Sequence, residues 1–210
     1  MKLVCSFLLI AMHACVLGAC ASNAGSASNS VGGAGGTDGA SAGSGGDQNA
    51  FSLSSPAFVE MGPIGAQYQC GSTGASPPLS WTAAPQGTQS YAIVMVGPDA
   101  NGVGSPYHWV IWDIPAATSS LPEAIAQLAS PPVPPGSSQI STGTDGATWP
   151  GYAGPCSTLP MAYTFTVFAL KTRQLPGVTA ASTGADVFTA IQANTIAKAQ
   201  LTAMASHYRS

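Results

Sequence analysis

The 210-residue sequence has very little charge. Lys and Arg number 5 and Asp and Glu 8, which is 6% of the chain, against roughly 25% in an ordinary soluble domain. Clustered basic residues neutralise nucleic-acid phosphates, so five of them at a net charge of −3 argue against a nucleic-acid partner. The shortage of Glu and Lys also disfavours a helical bundle. With 25 Gly and 17 Pro, the composition favours a loop-rich, mainly β domain outside the cytoplasm.

Signatures of catalysis and of cofactor binding are also missing from the sequence. It contains no Gly-rich phosphate loop and no Ser in a nucleophile-elbow pattern, and its three His lack the spacing of metal ligands. We therefore expect no cofactor, no metal site and no enzymatic activity. A hydrolase built on His108 and Asp99 is the alternative, and it predicts turnover of ester substrates that His108→Ala abolishes.

The first twenty residues have the form of a bacterial lipoprotein signal. Lys2 precedes an apolar stretch over residues 3–16, which ends in the sequence Leu-Gly-Ala-Cys at Cys20. A charged start, a short apolar middle and small residues at the exit are typical of a secretory signal, and Leu-x-Ala-Cys resembles a lipobox. We expect residues 1–19 to be removed and Cys20 to carry the lipid. An ordinary signal or a short membrane anchor is the alternative.

Residues 20–50 are predicted to be a disordered tether. After Cys20 they are mostly Gly, Ala and Ser, with Val31 as the single bulky apolar side chain, and such a segment cannot offset the entropy of ordering. A cryptic binding segment is the alternative. Ala21 is not the acidic residue associated with inner-membrane retention in enteric bacteria, which favours a periplasmic or cell-surface protein of the outer membrane. No apolar run of 18 residues follows, so we do not expect the mature chain to span the membrane.

The cysteines support this compartment. Cys5 and Cys15 leave with the signal and Cys20 is lipidated, so two remain, Cys70 and Cys156, where disulfides persist. We favour a bridge between them, worth roughly 4 kcal/mol because it closes a long loop. Two separate buried thiols are the alternative.

Residues 51–210 are predicted to form one mainly β domain. Aromatic and β-branched residues recur between Pro- and Gly-rich turns, and three runs have the length and composition of strands: residues 91–96, 108–114 and 163–170. Residues 130–141 are too rich in Pro and Gly for a regular element.

A C-terminal helix is predicted from Asp186 to about Ala205. This stretch has no Gly or Pro and much Ala, Gln and Lys. One side of the predicted helix is apolar at 3.6 residues per turn, with Val187, Ile191, Leu201 and Ala205 on it. Asn194 and Lys198 interrupt that side.

Seven short motifs follow one another in a distinctive order: Ser55-Pro56-Ala57-Phe58, Ser76-Pro77-Pro78-Leu79-Ser80-Trp81, Pro98-Asp99-Ala100, His108-Trp109-Val110, Ile114-Pro115, Leu121-Pro122-Glu123 and Gly151-Tyr152-Ala153-Gly154-Pro155-Cys156. In this order they resemble the phosphatidylethanolamine-binding protein family, in particular its bacterial branch, often called Raf-kinase-inhibitor-like. The resemblance runs from about Phe51 to Arg209. It implies an antiparallel β-sandwich with a C-terminal helix, and a small surface pocket for anions such as phosphate or a phospholipid headgroup.

The resemblance also implies how the pocket is built. In the family it is formed by a loop with two Asp, a strand that begins with a His, a Gly-x-Pro-type loop and a second His before an aromatic strand. Imidazoles and loop amides donate hydrogen bonds to phosphate oxygens. The matching residues of this sequence are Asp99, His108, Gly154, Pro155 and Tyr163.

Two positions depart from the family pattern. Gly97 stands at the first Asp of the loop, and Met161 stands nearest the second His, where an alignment slip of one residue is the alternative. Each charged hydrogen bond contributes roughly 1.5–3 kcal/mol, so we expect weak anion binding or a less polar ligand. A vestigial pocket on a non-catalytic interaction or inhibitor protein is the alternative function.

The remaining candidates are weaker. Trp109 adjoins His108, with packing as the alternative, and Tyr208 lies where family members place an aromatic residue close to the pocket. Asp99 is equally explained as a turn residue whose carboxylate accepts from nearby amides. Asp113 and Asp186 are expected to be solvated or capping groups. The predicted protein is thus a lipid-anchored, extracytoplasmic binding module.

Overall fold

The computed structural model describes residues 50–98, 106–144 and 147–206. The strands within them are β1 (Leu53–Ser54), β2 (Gly62–Pro63), β3 (Leu79–Trp81), β4 (Ser90–Val96), β5 (Tyr107–Pro115), β6 (Ser120–Leu121), β7 (Ser138–Gln139), β8 (Ser141–Thr144), β9 (Ala147–Pro150), β10 (Met161–Leu170) and β11 (Thr195–Ala205). The α-helix, α1, spans Gly184–Asn194, and a short 3-10 helix spans Ala66–Tyr68.

Two sheets and a helix form three layers. The larger sheet has the order β2-β11-β10-β4-β5-β7, antiparallel except that β2 runs parallel to β11. The smaller sheet has the order β1-β3-β6, and β8 and β9 form a separate hairpin. The predicted β-sandwich is confirmed.

Alternating side chains of the larger sheet build two cores, as expected for a sheet covered on both faces. Ile93 and Met95 of β4 belong to the core shared with the smaller sheet, while Ala92 and Val94 belong to a second core. Val187 and Ile191 of α1 complete the second core. The central strands therefore read as nearly continuous apolar runs, which is why they were recognisable from the sequence.

The three predicted strands correspond to β4, β5 and β10, each one or two residues longer than predicted. The stretch 130–141 is largely irregular, but the short β7 and the first residue of β8 lie within it. β7 has two residues and β8 has four. A Pro- and Gly-rich composition did not exclude strands this short.

The predicted C-terminal helix is present but shorter than predicted. The helix ends at Asn194, and residues 195–205 form β11 along the full length of β10. In β11 the buried side chains alternate, with Ala199, Leu201 and Ala203 facing the core. Small side chains fit opposite the aromatics of β10, since Ala203 pairs with Tyr163. This tertiary pairing outweighs the helical propensity of an Ala-rich segment.

Asp186 caps the start of α1, as the sequence predicted. The Thr183 hydroxyl accepts from the Asp186 amide, and the Asp186 carboxylate accepts from the Thr183 amide, which is a capping box. This arrangement satisfies two of the amides that the first helical turn leaves unpaired.

The predicted signal of residues 1–19, the lipidated Cys20 and the tether up to residue 49 lie outside the described residues. Within the part of the chain that the structure describes, no helix is long and apolar enough to cross a membrane.

Candidate functional site

His108 owes its position to an irregularity in β5. Met95 of β4 pairs with Trp109 and Val96 pairs with Tyr107, so His108 is an extra residue that has no partner across the ladder. Such a β-bulge re-aims side chains. As a result His108 breaks the alternation: it faces the ring of Tyr163 on the side where the next residue, Trp109, also packs. Tyr107 packs on Phe188 of α1, on the other side of the sheet.

The His108 ring is enclosed, with 5% of the residue exposed. Its Nδ1 lies 3.2 Å from the Ala153 carbonyl oxygen and its Nε2 lies 3.4 Å from the Pro98 carbonyl oxygen. A neutral imidazole carries one N–H and can donate to one of these carbonyls, whereas the protonated ring can donate to both. The longer contact to Pro98 is the weaker one, so Nε2 is the nitrogen that a ligand could recruit.

Tyr163 takes up the space beside His108. The two rings meet edge to face, with centroids 5.1 Å apart and an interplanar angle of 83°. A Cβ added to Gly97 would overlap Tyr163 Cδ1 and Cε1 and lie 3.2 Å from His108 Cδ2. The glycine is therefore required for this close approach. An Asp side chain at position 97 is incompatible with the ring where it lies, so Gly97 and Tyr163 must be considered together.

The Tyr163 hydroxyl is buried and has no hydrogen-bond partner of normal geometry among the described residues. Burial raises the pKa of this phenol, and the backbone amides of Ser157 and Cys156 act against that rise. The hydroxyl therefore stays protonated at neutral pH. The ring of Tyr163, rather than its hydroxyl, fills the space that an Asp side chain at position 97 would need.

Gly154 and Pro155 form a wall that is fastened to a second segment. A Cβ on Gly154 would lie 2.7 Å from the Tyr68 carbonyl oxygen and 2.9 Å from the Cys70 nitrogen. The Cys70 amide donates to the Pro155 carbonyl at 3.0 Å. The predicted disulfide between Cys70 and Cys156 is present and joins residues 86 positions apart. These contacts hold Ala153, the acceptor for His108, in place.

The structure places Trp109 in the core. It is fully buried, its indole N–H donates to Gln139 Oε1 at 2.6 Å, and its ring meets Tyr152 edge to face. This is the packing role that the sequence offered as the alternative. The sequence analysis missed Gln139 as the hydrogen-bond partner of Trp109. Gln139 lies in β7, which the sequence did not identify as a strand.

Met161 is the first residue of β10, two residues before Tyr163 and therefore on the same face of the strand. It is partly buried, pairs with Ala205 and packs against the inter-sheet core. Two predicted site residues, Asp99 and Tyr208, lie outside the described residues. Within the described ranges, no three His, Cys, Asp or Glu side chains come together as metal ligands.

Comparison with known proteins points to one family. A family model described as "Phosphatidylethanolamine-binding protein" matches residues 54–206. The "UPF0098 protein YbcL" of Escherichia coli is 34% identical over 138 residues, which are 64% of this chain and 73% of that protein. A Mycobacterium tuberculosis protein named "Putative lipoprotein LppC" is 32% identical over 129 residues, 60% of this chain and 58% of that one.

A solved structure supports the same assignment. The crystal structure of E. coli YbcL, described as a new member of the mammalian PEBP family, superposes with a TM-score of 0.62 at 30% sequence identity. The superposition covers 75% of this chain and 99% of that one.

Proposed function

Because the chain belongs to the phosphatidylethanolamine-binding protein family, we propose that it is a lipid-anchored, non-catalytic binding module whose pocket at His108 takes a small anion of the phosphate or phospholipid-headgroup type, and takes it weakly. The observation that carries this proposal is the position of Tyr163 over Gly97, next to His108. Position 97 therefore supplies no carboxylate, because Gly97 stands at the first Asp of the family loop and the Tyr163 ring fills the space beside it. Met161 likewise supplies no imidazole.

The chemistry of the site follows from its donors. Because Nδ1 lies closer to its carbonyl oxygen than Nε2 does, we assign the N–H of the neutral imidazole to Nδ1, so that Nε2 becomes a donor to an anion only when the ring is protonated. The ligand must then compete with the Pro98 carbonyl, which already faces Nε2 at 3.4 Å. A charge-assisted hydrogen bond from the imidazolium to an anion is stronger than the hydrogen bond to the neutral Pro98 carbonyl that it replaces. Only the difference between the two contributes to affinity, so we expect a weak affinity.

Titration of the full chain in detergent micelles with inorganic phosphate and with phosphoethanolamine tests this proposal. We expect saturable NMR shifts with a Kd on the order of 1 mM, lost in His108→Ala. A second imidazole in Met161→His should tighten binding about tenfold, since one charged hydrogen bond is worth roughly 1.5–3 kcal/mol. A preference for phosphoethanolamine over phosphate identifies a headgroup as the natural source of the anion. Micromolar binding by the native chain, or binding that survives His108→Ala, contradicts the proposal.

Sulfate gives a sharper test of the imidazole, because it does not titrate near neutral pH. We expect sulfate to bind more tightly at about pH 5.5 than at about pH 7.5, where His loses its charge. His108→Gln should remove this dependence. An affinity that does not change with pH in the native chain excludes an imidazolium donor.

Membrane anchoring through Cys20 is part of the proposal. It is supported by the lipobox-like sequence, by a relative named as a lipoprotein and by the disulfide, which suits a compartment outside the cytoplasm. We place the protein at the outer membrane because Ala21 follows Cys20. The intact mass of the membrane-extracted protein should show a chain that begins at an acylated Cys20. An unacylated amino terminus contradicts it.

A second candidate function is a protein-interaction or inhibitor module in which the pocket is vestigial. The observation that favours it is that both ring nitrogens of His108 already face carbonyl oxygens. It predicts no saturable phosphate or phosphoethanolamine shifts in the native chain. It also predicts a crosslinked partner that is retained when His108→Ala is introduced.

A further inference from the structure

A cavity of about 450 Å³ opens at the far end of β5 from His108. Its walls come from four segments: the residue before β4, the end of β5 with the turn after it, the stretch before β7 and the loop after β10. They include Gln89, Pro115, Gly136 and Gln174. Ligand pockets commonly have volumes of roughly 300–1,000 Å³. This cavity is therefore large enough for a small organic molecule.

Asp113 lies in the wall of this cavity in an unusual backbone conformation. Ile111 pairs with Ile93 and Ile114 with Tyr91, so two residues of β5 face one of β4. Asp113 sits in this second bulge with a φ of +58°. Its Oδ1 accepts from the Leu175 amide at 2.9 Å, and its Oδ2 accepts no hydrogen bond from the residues that the structure describes. Strained backbone of this kind is concentrated at ligand sites.

Arg173 supplies the opposite charge in the same cavity. Arg173 and Asp113 are the charged residues of the lining, and no ion pair within 4.0 Å joins them. Burial raises the pKa of Asp113, and the hydrogen bond from the Leu175 amide acts against that rise. The carboxylate and the guanidinium do not form an ion pair with each other, so each can act on a different group of one ligand.

We propose that this cavity binds a small zwitterion, a free amino acid or a dipeptide, with the ligand carboxylate on Arg173 and its ammonium on Asp113. Guanidinium recognises carboxylate through two parallel hydrogen bonds. The rest of the lining is small or amidic and contains no aromatic ring. It offers no stacking surface for a nucleobase or a sugar.

The test uses the full chain in detergent micelles, titrated with L-alanine, L-alanyl-L-alanine, acetate and methylammonium and followed by NMR. A zwitterion should bind saturably with a Kd on the order of 1 mM, more tightly than either singly charged probe. Arg173→Gln should weaken it at least about tenfold, as expected for a charged hydrogen bond. Asp113→Asn should do the same while keeping the acceptor for Leu175, and Asn tolerates a positive φ.

Two variants serve as controls. Lys171→Gln removes an exposed positive charge from the same loop without touching the cavity lining, and His108→Ala alters only the other end of β5. Both should leave zwitterion affinity unchanged. Absence of saturable shifts, acetate binding as tight as the dipeptide, or binding that survives Arg173→Gln or Asp113→Asn overturns the proposal.

Discussion

The two ends of β5 share a β-bulge but differ in how much space surrounds the side chain that the bulge displaces. Each end carries a bulge, and each bulge turns a titratable side chain out of the regular alternation: His108 at one end and Asp113 at the other. His108 is enclosed by an aromatic ring and two carbonyl oxygens. Asp113 borders a cavity of about 450 Å³ together with an unpaired Arg173.

This difference shows that residues matching a family's binding pattern do not by themselves leave space for a ligand. The His108 end carries the residues of the family pattern, but Tyr163 occupies the space beside the imidazole. The Asp113 end contains the Ile114-Pro115 motif but none of the residues that the family pattern places in its pocket, yet Asp113 and Arg173 there line a cavity. A bulge alone therefore does not make a binding site; its surroundings decide whether a ligand can reach the side chain.

Removing the disulfide is expected to have the largest effect and to act on one end only. Replacing both Cys70 and Cys156 with Ala should lower the free energy of unfolding by about 2–5 kcal/mol, measured by urea denaturation. Because the bridge fastens the Gly154 wall and the acceptor Ala153, NMR shifts should concentrate around His108. Comparable shifts around Asp113 would show that the two ends are not independent.

Gly97→Ala should be the next largest change. The added methyl overlaps the Tyr163 ring, and overpacking of this kind costs about 1–3 kcal/mol. In a Tyr163→Ala background the same substitution should cost much less, which a double-mutant cycle measures. Gly136→Ala is the control, since its methyl meets nothing within 4 Å and tests only the effect of a φ of +84°. Additive costs at positions 97 and 163 would refute the contact.

Asp113→Asn should have the smallest effect, within about 1 kcal/mol at neutral pH, and should be neutral or stabilising. Burial raises the pKa of Asp113 in the folded chain, so ionisation of this group costs stability. That cost is present above the folded-state pKa and disappears as the pH falls below the unfolded value. Any gain from Asn should therefore shrink in acid, and a gain that grows in acid would contradict this assignment.

The sequence predicted the parts of the fold that are encoded locally. The apolar runs of β4, β5 and β10 and the capping role of Asp186 were predictable because their signals lie within a few residues. β11 was not predicted. Residues 195–205 have a composition typical of a helix, but they form a strand because they pair with β10. The disulfide was predictable from the two cysteines that remain once the predicted signal and the predicted lipidated Cys20 are set aside.

The candidate site was predicted only as a set of residues. The motif order identified His108, Gly154, Pro155 and Tyr163, but a bulge leaves no mark in residue spacing. The overlap between Gly97 and Tyr163 joins residues 66 positions apart by number, and no local pattern reports it. The cavity at Asp113 and Arg173 is formed by four separate segments of the chain and was missed for the same reason.

A crossed titration tests the central claim most directly. The full chain, His108→Ala and Arg173→Gln are each titrated with phosphoethanolamine and with L-alanyl-L-alanine. The account predicts that His108→Ala abolishes phosphoethanolamine binding and leaves dipeptide binding unchanged, and that Arg173→Gln does the reverse. If either substitution weakens both ligands equally, or if neither ligand responds to its own substitution, the two ends of β5 are not separate sites and the account is wrong.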